Sequence, residues 1–166
     1  MSDTAGPSRE SKLSIDTSVE PPDKPTPWYK GGLRFGCTGC GACCLIEGHV
    51  WVDRHEVRRL ARHLDLDVKE FGRRFLREVG RRSSLTEIPL PGEPGKKACV
   101  FWDGKCTVYE ARPTQCRTFP FWKENLETPD AWREAARLSP GIGQGRLYAI
   151  GDLEPLLEGK GETAGG

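Results

Sequence analysis

Hydrophobic residues recur at helical spacing in two stretches in the middle of the chain. The first stretch opens at Asp53 and the second at Asp67, and each Asp is followed three residues later by a Glu, which is the spacing of a capping box. Behind the first cap, one face carries Val57, Leu60, Ala61 and Leu64. Behind the second cap, one face carries Phe71, Phe75, Leu76 and Val79. The pattern predicts two amphipathic helices, the second of which stops at Gly80.

A β-hairpin is predicted around Asp103-Gly104. This dipeptide favours a tight turn, and two short, partly apolar runs at 98–102 and 105–109 flank it. If the turn has two residues, Trp102 faces Lys105 across the hairpin.

Prolines mark the start and end of the shorter elements. Pro113 predicts a short helical turn that includes Cys116 and ends at Pro120. Thr128-Pro129 predicts a last helix, which breaks at Ser139 because Pro and Gly follow. The predicted fold is therefore an α+β, loop-rich domain with short helices and one β-hairpin.

The composition divides the chain into a folded middle and two tails. Only 36% of the 166 residues are hydrophobic, below the roughly 45–50% of globular proteins. Residues 1–27 combine Ser, Thr, charge and a Pro-rich run, and residues 158–166 are mostly Gly and polar residues. We therefore expect disordered tails at 1–27 and 158–166 around one domain at 28–157.

Charge and the absence of long apolar runs exclude several classes of protein. The formal net charge is +1, so the chain is not a globally basic nucleic-acid binder. No run approaches the roughly 18 apolar residues of a membrane span, and the N-terminus lacks the apolar segment of a signal peptide. We expect a cytoplasmic protein without a membrane partner, in which thiols stay reduced.

The informative residues are the cysteines Cys37, Cys40, Cys43, Cys44, Cys99, Cys106 and Cys116. Their number is odd, so they cannot all pair in disulfides. In a domain short of apolar residues, a cysteine-bound metal commonly replaces part of the missing core, and here it would cross-link the chain and stabilise the fold. Because one zinc ion takes about four ligands, the count leaves open two centres, one polynuclear centre or some cysteines that bind nothing.

The strongest signal is the cluster Cys37-x-x-Cys40-x-x-Cys43-Cys44. Two residues between cysteines let both sulfurs reach one ion about 2.3 Å away. The alternative is one face of a helix, which glycines at 36, 39 and 41 disfavour. Adjacent side chains usually diverge, so we do not expect Cys43 and Cys44 to bind the same mononuclear ion.

Two further groups of cysteines follow later in the chain. On the predicted hairpin, Cys99 and Cys106 are diagonal neighbours with backbones about 7 Å apart, from which both sulfurs can reach one metal. The alternative is that both are simply buried, half-hydrophobic side chains. Cys116 lies between Arg112 and Arg117, whose guanidinium groups would offset an excess of thiolate charge.

The combined pattern resembles the YkgJ-type cysteine-cluster family, described as a zinc- or iron-chelating domain. The residues that carry the resemblance are the cluster Cys37–Cys44, then Cys99, Cys106 and the run Tyr109-x-x-Arg112-Pro113-x-x-Cys116-Arg117-x-Phe119-Pro120. The resemblance implies an intracellular bacterial protein that binds Zn or Fe. All seven cysteines are then candidate metal ligands, with Tyr109, Arg112 and Arg117 as supporting residues.

One position departs from the family pattern. Many members carry a further Cys before the Pro-Gly-Ile-Gly segment, where this chain has Ser139. A serine hydroxyl is a poor zinc ligand, so the resemblance implies an incomplete ligand shell or an open coordination site.

Weaker signals remain outside the cysteine pattern. His49, five residues after Cys44, is a candidate for completing a Cys₃His shell. The many arginines of the two middle helices are best interpreted as polar helix faces, and a surface for an acidic partner is the alternative. No strand is predicted before the glycine-rich run 141–145 and no helix is predicted after it, so we interpret the run as a turn.

Three functions remain from the sequence. The first is a metal-binding protein in which zinc or iron is structural, stored or delivered, with the metal ion as its partner. The second is an iron–sulfur redox or catalytic protein, although the fourth Cys of a ferredoxin run is out of register. The third is an interaction module that uses the Arg-rich helical face. Because no catalytic triad, carboxylate pair or phosphate loop occurs, we do not expect an enzyme, and we do not expect a nucleic-acid partner.

Overall fold

The computed structural model describes residues 26–161 and Thr163. Within them, the helices α1 to α6 are Arg54–His63, Val68–Phe75, Thr114–Thr118, Lys123–Leu126, Pro129–Leu138 and Ile150–Leu157. The strands β1 to β7 are Leu33–Phe35, Trp51–Val52, Leu76–Val79, Arg82–Leu85, Glu87–Pro89, Lys97–Cys99 and Arg146–Tyr148. Single turns of 3-10 helix occur at Ala42–Cys44 and Tyr109–Ala111. The predicted α+β class is confirmed.

The strands form three small antiparallel sheets in the described part of the chain. β1 pairs with β7, β4 lies between β2 and β3, and β5 pairs with β6. The β1–β7 pair joins the cysteine-rich loop after Phe35 to the segment before α6. None of these sheets is large enough to form a core alone, so the packing between elements determines the fold.

The start of α1 agrees with its predicted cap. The Asp53 carboxylate accepts hydrogen bonds from the backbone N–H groups of His55 and Glu56, at 2.7 and 2.8 Å. The Glu56 carboxylate in turn accepts from the Asp53 N–H at 2.9 Å, which completes a capping box. The second Glu56 oxygen accepts from the Thr114 N–H at 2.6 Å and thereby joins α1 to α3.

The predicted second helix is shorter than its apolar stripe. Asp67 caps it as expected, but α2 ends at Phe75 and the backbone turns extended at Leu76. The next four residues form β3, which pairs with β4 through a turn at Gly80, where φ is 62°. The prediction of helix to Gly80 was wrong because this glycine allows a left-handed turn and β4 satisfies the strand's hydrogen bonds.

The chain reverses at Asp103-Gly104 as predicted, but the predicted β-hairpin is not formed, because β6 pairs with β5 and residues 105–109 form no strand. Among the described residues, only an isolated bridge spans the turn. Trp102 bridges Cys106 instead of Lys105, and the Asp103 N–H donates to the Lys105 carbonyl oxygen at 2.9 Å. The loop therefore has three residues, and Gly104 takes a left-handed conformation with φ 67°. Cys99 belongs to β6 and pairs with β5, so it is not the diagonal partner of Cys106 in one ladder.

Two hydrophobic cores lie on either side of the cysteines. The first core contains Val52, Val57, Leu60, Ala61, Phe71, Leu85, Phe101, Val108 and Ala111. The second core contains Leu33, Phe35, Phe119, Phe121, Leu126, Tyr148, Leu153 and Leu156. Cys99 and Cys106 pack against the first core, and Cys37 and Cys43 pack against the second. The thiols therefore lie between two apolar clusters.

The predicted tails fall largely on residues that the structure does not describe, namely 1–25, 162 and 164–166. Thr163 is buried, and its backbone N–H and hydroxyl both donate to the Arg117 carbonyl oxygen at 2.8 Å. The domain limits at 28 and 157 stay a prediction. No helix among the described residues is long and apolar enough to cross a membrane.

Candidate metal centre

A single buried cavity, which we call the thiol cavity, brings together all seven cysteines. Its walls include Cys37, Cys40, Cys43, Cys44, Cys99, Cys106 and Cys116, together with Ser139. Phe35, Leu85, Phe101, Val108 and Phe119 complete much of the apolar lining. The cavity volume is about 30 Å³, which suits one or two small ions and excludes an organic ligand.

Glycines place the first cysteine loop over the cavity. Gly39 and Gly41 have φ values of 67° and 73°, a region that other residues avoid. A Cβ atom on Gly41 would lie 3.0 Å from the Lys105 Cα, so only glycine allows the loop to approach the 103–105 turn this closely. The segment 36–41 is therefore not helical, as its glycines predict, and a single turn of 3-10 helix follows it at Ala42–Cys44.

The side chains of Cys43 and Cys44 point towards the same part of the thiol cavity, although adjacent side chains were expected to diverge. Both lie in the 3-10 turn that follows Gly41, and their side chains are in hydrogen-bonding contact. The tight turn is the physical reason, because it holds the two side chains closer together than the extended backbone on which the expectation rested.

Four sulfur atoms meet around Cys44. Its thiol contacts the sulfurs of Cys43, Cys99 and Cys106, and we call these four the inner thiols. Contacts with Cys106, Cys43 and Cys99, together with burial, raise the pKa of Cys44. The Cys44 thiol, against the effect of burial, lowers the pKa of Cys43 and of Cys99. The inner thiols thus combine sulfurs from the first loop, from β6 and from the residue that follows the 103–105 turn.

Cys106 is the inner thiol for which thiolate formation is favoured near neutral pH. The Cys44 thiol lowers the pKa of Cys106 to about 7, and burial acts in the opposite direction. A hydrogen bond from the Val108 backbone N–H and the charge of Arg112 also lower it. Thiolate is the form of cysteine that binds metal ions.

The other three cysteines surround the inner thiols at different depths. Cys116 comes from α3, where burial and the Cys43, Cys99 and Cys106 sulfurs raise its pKa, with Arg112 acting against them. Cys37 is partly buried and contacts the Tyr109 hydroxyl. Cys40 is exposed at the tip of the loop. We call Cys37 and Cys40 the outer thiols.

Arg112 is a buried cation beside the cavity. Its side chain is 7% exposed, and its guanidinium carbon lies 3.8 Å from the centre of the Tyr109 ring. Burial lowers the pKa of Arg112, but the Tyr109 hydroxyl and the Cys37 and Cys43 sulfurs outweigh it and raise the pKa. Among the described atoms, Nε and Nη1 of Arg112 have no hydrogen-bond partner. A buried guanidinium with free donors is costly unless anionic groups surround it, and thiolates would be such groups.

Arg117 plays a different part from Arg112. Its Nε donates to the Arg112 carbonyl oxygen at 3.0 Å and its Nη2 donates to the Glu110 carbonyl oxygen at 3.2 Å. These bonds support the backbone that carries Tyr109 and Arg112. Arg117 therefore contacts the backbone of this segment, and the direct electrostatic effect on the thiols that the sequence suggests stays a prediction.

His49 does not face the thiols. Its ring packs against Trp51 with 4.7 Å between centroids, and its Nδ1 lies 3.0 Å from the Arg77 guanidinium. The hypothesis of a Cys₃His shell is therefore not supported by the position of His49.

The thiols are gathered in one cavity, but not in the geometry of a metal shell. Among the described residues, no group of three or more His, Cys, Asp or Glu side chains could hold a metal ion as it stands. The inner thiols instead contact one another, so binding would require them to lose protons and rearrange. The donor set itself fits zinc or iron, because both ions bind thiolates well.

Sequence reasoning missed the position of Ser139 and the contact between the two loops. Ser139 is buried, with 4% exposure, and lies on the wall of the thiol cavity. The departure of this residue from the family pattern was visible in the sequence, but its place beside the sulfurs was not. For the close approach of Gly41 to Lys105, the only sign in the sequence is the glycine itself.

The comparison with known families agrees with this site. No solved structure matches the chain. A family model, CxxCxxCC, described as "Putative zinc- or iron-chelating domain", matches residues 36–135 and so spans all seven cysteines. This description supports metal binding. Because the match covers more than half of the sequence, the chain belongs to the CxxCxxCC family.

Proposed function

We propose that the protein binds a zinc or iron ion in the thiol cavity, and that the ion joins the two hydrophobic cores. The observation that carries the proposal is that seven cysteines line one cavity and that Cys44 contacts three other sulfurs there. The inner thiols are the proposed primary ligands. Cys37, Cys40 and Cys116 are proposed as further ligands that exchange with them.

The location between the cores gives the ion a structural role. Cys99 and Cys106 belong with the first core and Cys43 with the second, so a shared ion would link the two clusters. Metal binding then adds to the folding free energy, which compensates for the small fraction of hydrophobic residues. A reducing compartment such as the cytoplasm would keep the thiols available.

Arg112 and Tyr109 are proposed to hold the charge of the centre. A site with four thiolates around a divalent ion carries two excess negative charges, and the buried guanidinium would offset part of them. The Tyr109 ring fixes the guanidinium plane, and its hydroxyl reaches Cys37. Arg117 keeps this segment of backbone in place.

Metal content and absorption of anaerobically purified protein test the proposal. Elemental analysis is expected to find zinc or iron in stoichiometric amount, without the intense visible absorption of an iron–sulfur cluster. Stoichiometric iron with sulfide and visible absorption would favour the redox alternative. Protein that is folded, reduced and free of metal, and that takes up neither ion, would refute the proposal.

A further inference from the structure

An open groove, which we call the vestibule, lies next to the thiol cavity. Its volume of about 540 Å³ is within the range of about 300–1,000 Å³ for small-molecule sites. Cys37, Cys106 and Tyr109 line both spaces, so they form a shared wall. A molecule in the vestibule would therefore reach two of the sulfurs that border the thiol cavity.

Apart from the thiols of Cys37 and Cys106, the side chains of the vestibule favour an anion. Lys105 supplies a positive charge, while Thr38, Gln144 and the Tyr109 hydroxyl supply neutral hydrogen-bonding groups. The described lining contains no Asp or Glu. Arg112 lies directly behind Tyr109, buried and with two unpartnered donor nitrogens, which adds to the positive potential at this wall.

The floor of the vestibule is free of side chains for a steric reason. A Cβ atom on Gly145 would lie 2.9 Å from the Phe35 carbonyl oxygen and 2.9 Å from the Gly36 Cα. The two loops can touch only because both positions are glycine, and the contact leaves the groove open above them. The glycine-rich run 141–145 thus forms part of a ligand groove as well as a turn.

We propose that the vestibule binds a small chelator that carries carboxylate groups, and that it exchanges the metal ion with the protein through Cys37 and Cys106. This inference rests on the proposed function. A lysine with neutral donors can bind a carboxylate or a phosphate, and the carboxylate is favoured here because carboxylate oxygens also bind zinc and iron. The exchange involves no oxidation: a carboxylate–metal bond forms as a thiolate–metal bond breaks, and the released thiolate takes a proton from water.

The first experiment needs no bound metal. The reduced full chain, as purified, is titrated with citrate and, separately, with its neutral trimethyl ester, at concentrations that leave its metal content unchanged, while the backbone amide signals of Thr38, Lys105 and Gln144 are followed by NMR. Citrate is expected to shift these signals saturably and the ester is not. Lys105→Glu is expected to weaken citrate binding by at least about threefold, and added salt should weaken it as well.

Lys69→Glu is the matched control, because Lys69 is an exposed lysine on α2 outside the vestibule. Equal effects of the two charge reversals, or no saturable shift at these three amides, would overturn the proposal. Inorganic phosphate that binds as tightly as citrate would overturn the carboxylate assignment.

The second experiment uses the metal-loaded chain. The rate of metal transfer to citrate is expected to saturate with citrate concentration, and Lys105→Glu should raise the half-saturating concentration by at least about threefold. Transfer to an uncharged chelator should not respond to this substitution. If the chain holds no metal, this experiment gives no signal and the proposed function fails, while the citrate titration still decides whether the vestibule binds the chelator.

Discussion

The inner thiols and the outer thiols differ in what surrounds them, although two of the inner thiols, Cys43 and Cys44, belong to the same short run of sequence as the outer thiols. Cys43 and Cys44 lie in a 3-10 turn against sulfurs from two other segments, and Cys44 is 5% exposed. Cys37 faces Tyr109 at the edge of the vestibule, and Cys40 is open to solvent. Two residues separate Cys37 from Cys40, whereas Cys43 and Cys44 are adjacent and share one 3-10 turn, so both the spacing and the backbone conformation distinguish the two pairs.

This difference separates holding an ion from exchanging it. Ligands that pack against several sulfurs and apolar walls are protected from water, which favours tight binding. Thiols at the surface are accessible to competing ligands. We therefore expect the inner thiols to determine affinity, and the outer thiols, together with Cys106 where it borders the vestibule, to determine the rate of exchange.

The largest effect is expected from Cys44→Ser. The hydroxyl is a poor ligand for zinc, and it replaces the sulfur that three other thiols contact, so metal affinity should fall by more than about 100-fold. Competition with a chromophoric chelator measures this loss. Cys40→Ser makes the same chemical change at an exposed position, and its affinity should fall by less than about tenfold.

Thermal unfolding of the two metal-free variants separates ligand loss from misfolding. Similar melting temperatures without metal, with stabilisation by metal only in Cys40→Ser, would support the division into inner and outer thiols. Equal losses of metal affinity in both variants would contradict the division into inner and outer thiols.

A smaller effect is expected from Arg112→Gln. The change removes the buried positive charge next to Cys37 and Cys43 while keeping hydrogen-bonding groups, and metal affinity should fall by about 10- to 100-fold. Chelator competition measures the affinity, and its dependence on pH identifies the cause. Without the charge, thiolate formation becomes harder, so the pH for half-maximal binding should rise. An unchanged pH profile would mean that Arg112 only fills space.

Part of this site could be predicted from the sequence. The cap at Asp53, the helix that begins after Thr128 and the turn that presents Cys116 all depend on neighbouring residues, and each is present. Local rules of this kind suffice when the interacting groups are three or four residues apart.

The remaining features depend on contacts between distant segments. The stripe after Phe75 was compatible with a helix, and only the pairing of β3 with β4 makes it a strand. The meeting of Cys44 with Cys99 and Cys106 requires the first loop to approach the 103–105 turn. No pattern along the chain encodes such an approach except the glycine at 41.

A gain of binding is expected from Ser139→Cys. Ser139 is buried on the wall of the thiol cavity, so the substitution adds an eighth thiol beside the other seven. Metal affinity should rise by about tenfold, or the bound metal per chain should increase. Elemental analysis and chelator competition measure the two outcomes. Ser139→Ala is the control, and a cysteine variant that binds no better than the alanine variant would show that position 139 does not reach the ion.

The smallest effect on metal affinity is expected from a change at Asp53, which caps α1 and does not line the thiol cavity. Asp53→Ala removes the cap of α1 and should lower the free energy of unfolding by about 1 kcal/mol, with less than about a twofold change in metal affinity.

The cap hydrogen bond from Glu56 and, against the effect of burial, that from His55 lower the pKa of Asp53 in the folded protein. Its charge therefore stabilises the fold fully above the unfolded pKa of about 3.9, and the contribution is lost as pH falls through the lower, folded value. Asp53→Asn keeps a capping oxygen but cannot titrate, so urea unfolding should show its stability deficit against the parent shrinking below about pH 4. A deficit that stays constant with pH would assign the whole effect of Asp53 to hydrogen bonding, because every other titrating group is common to both proteins and cancels in the difference.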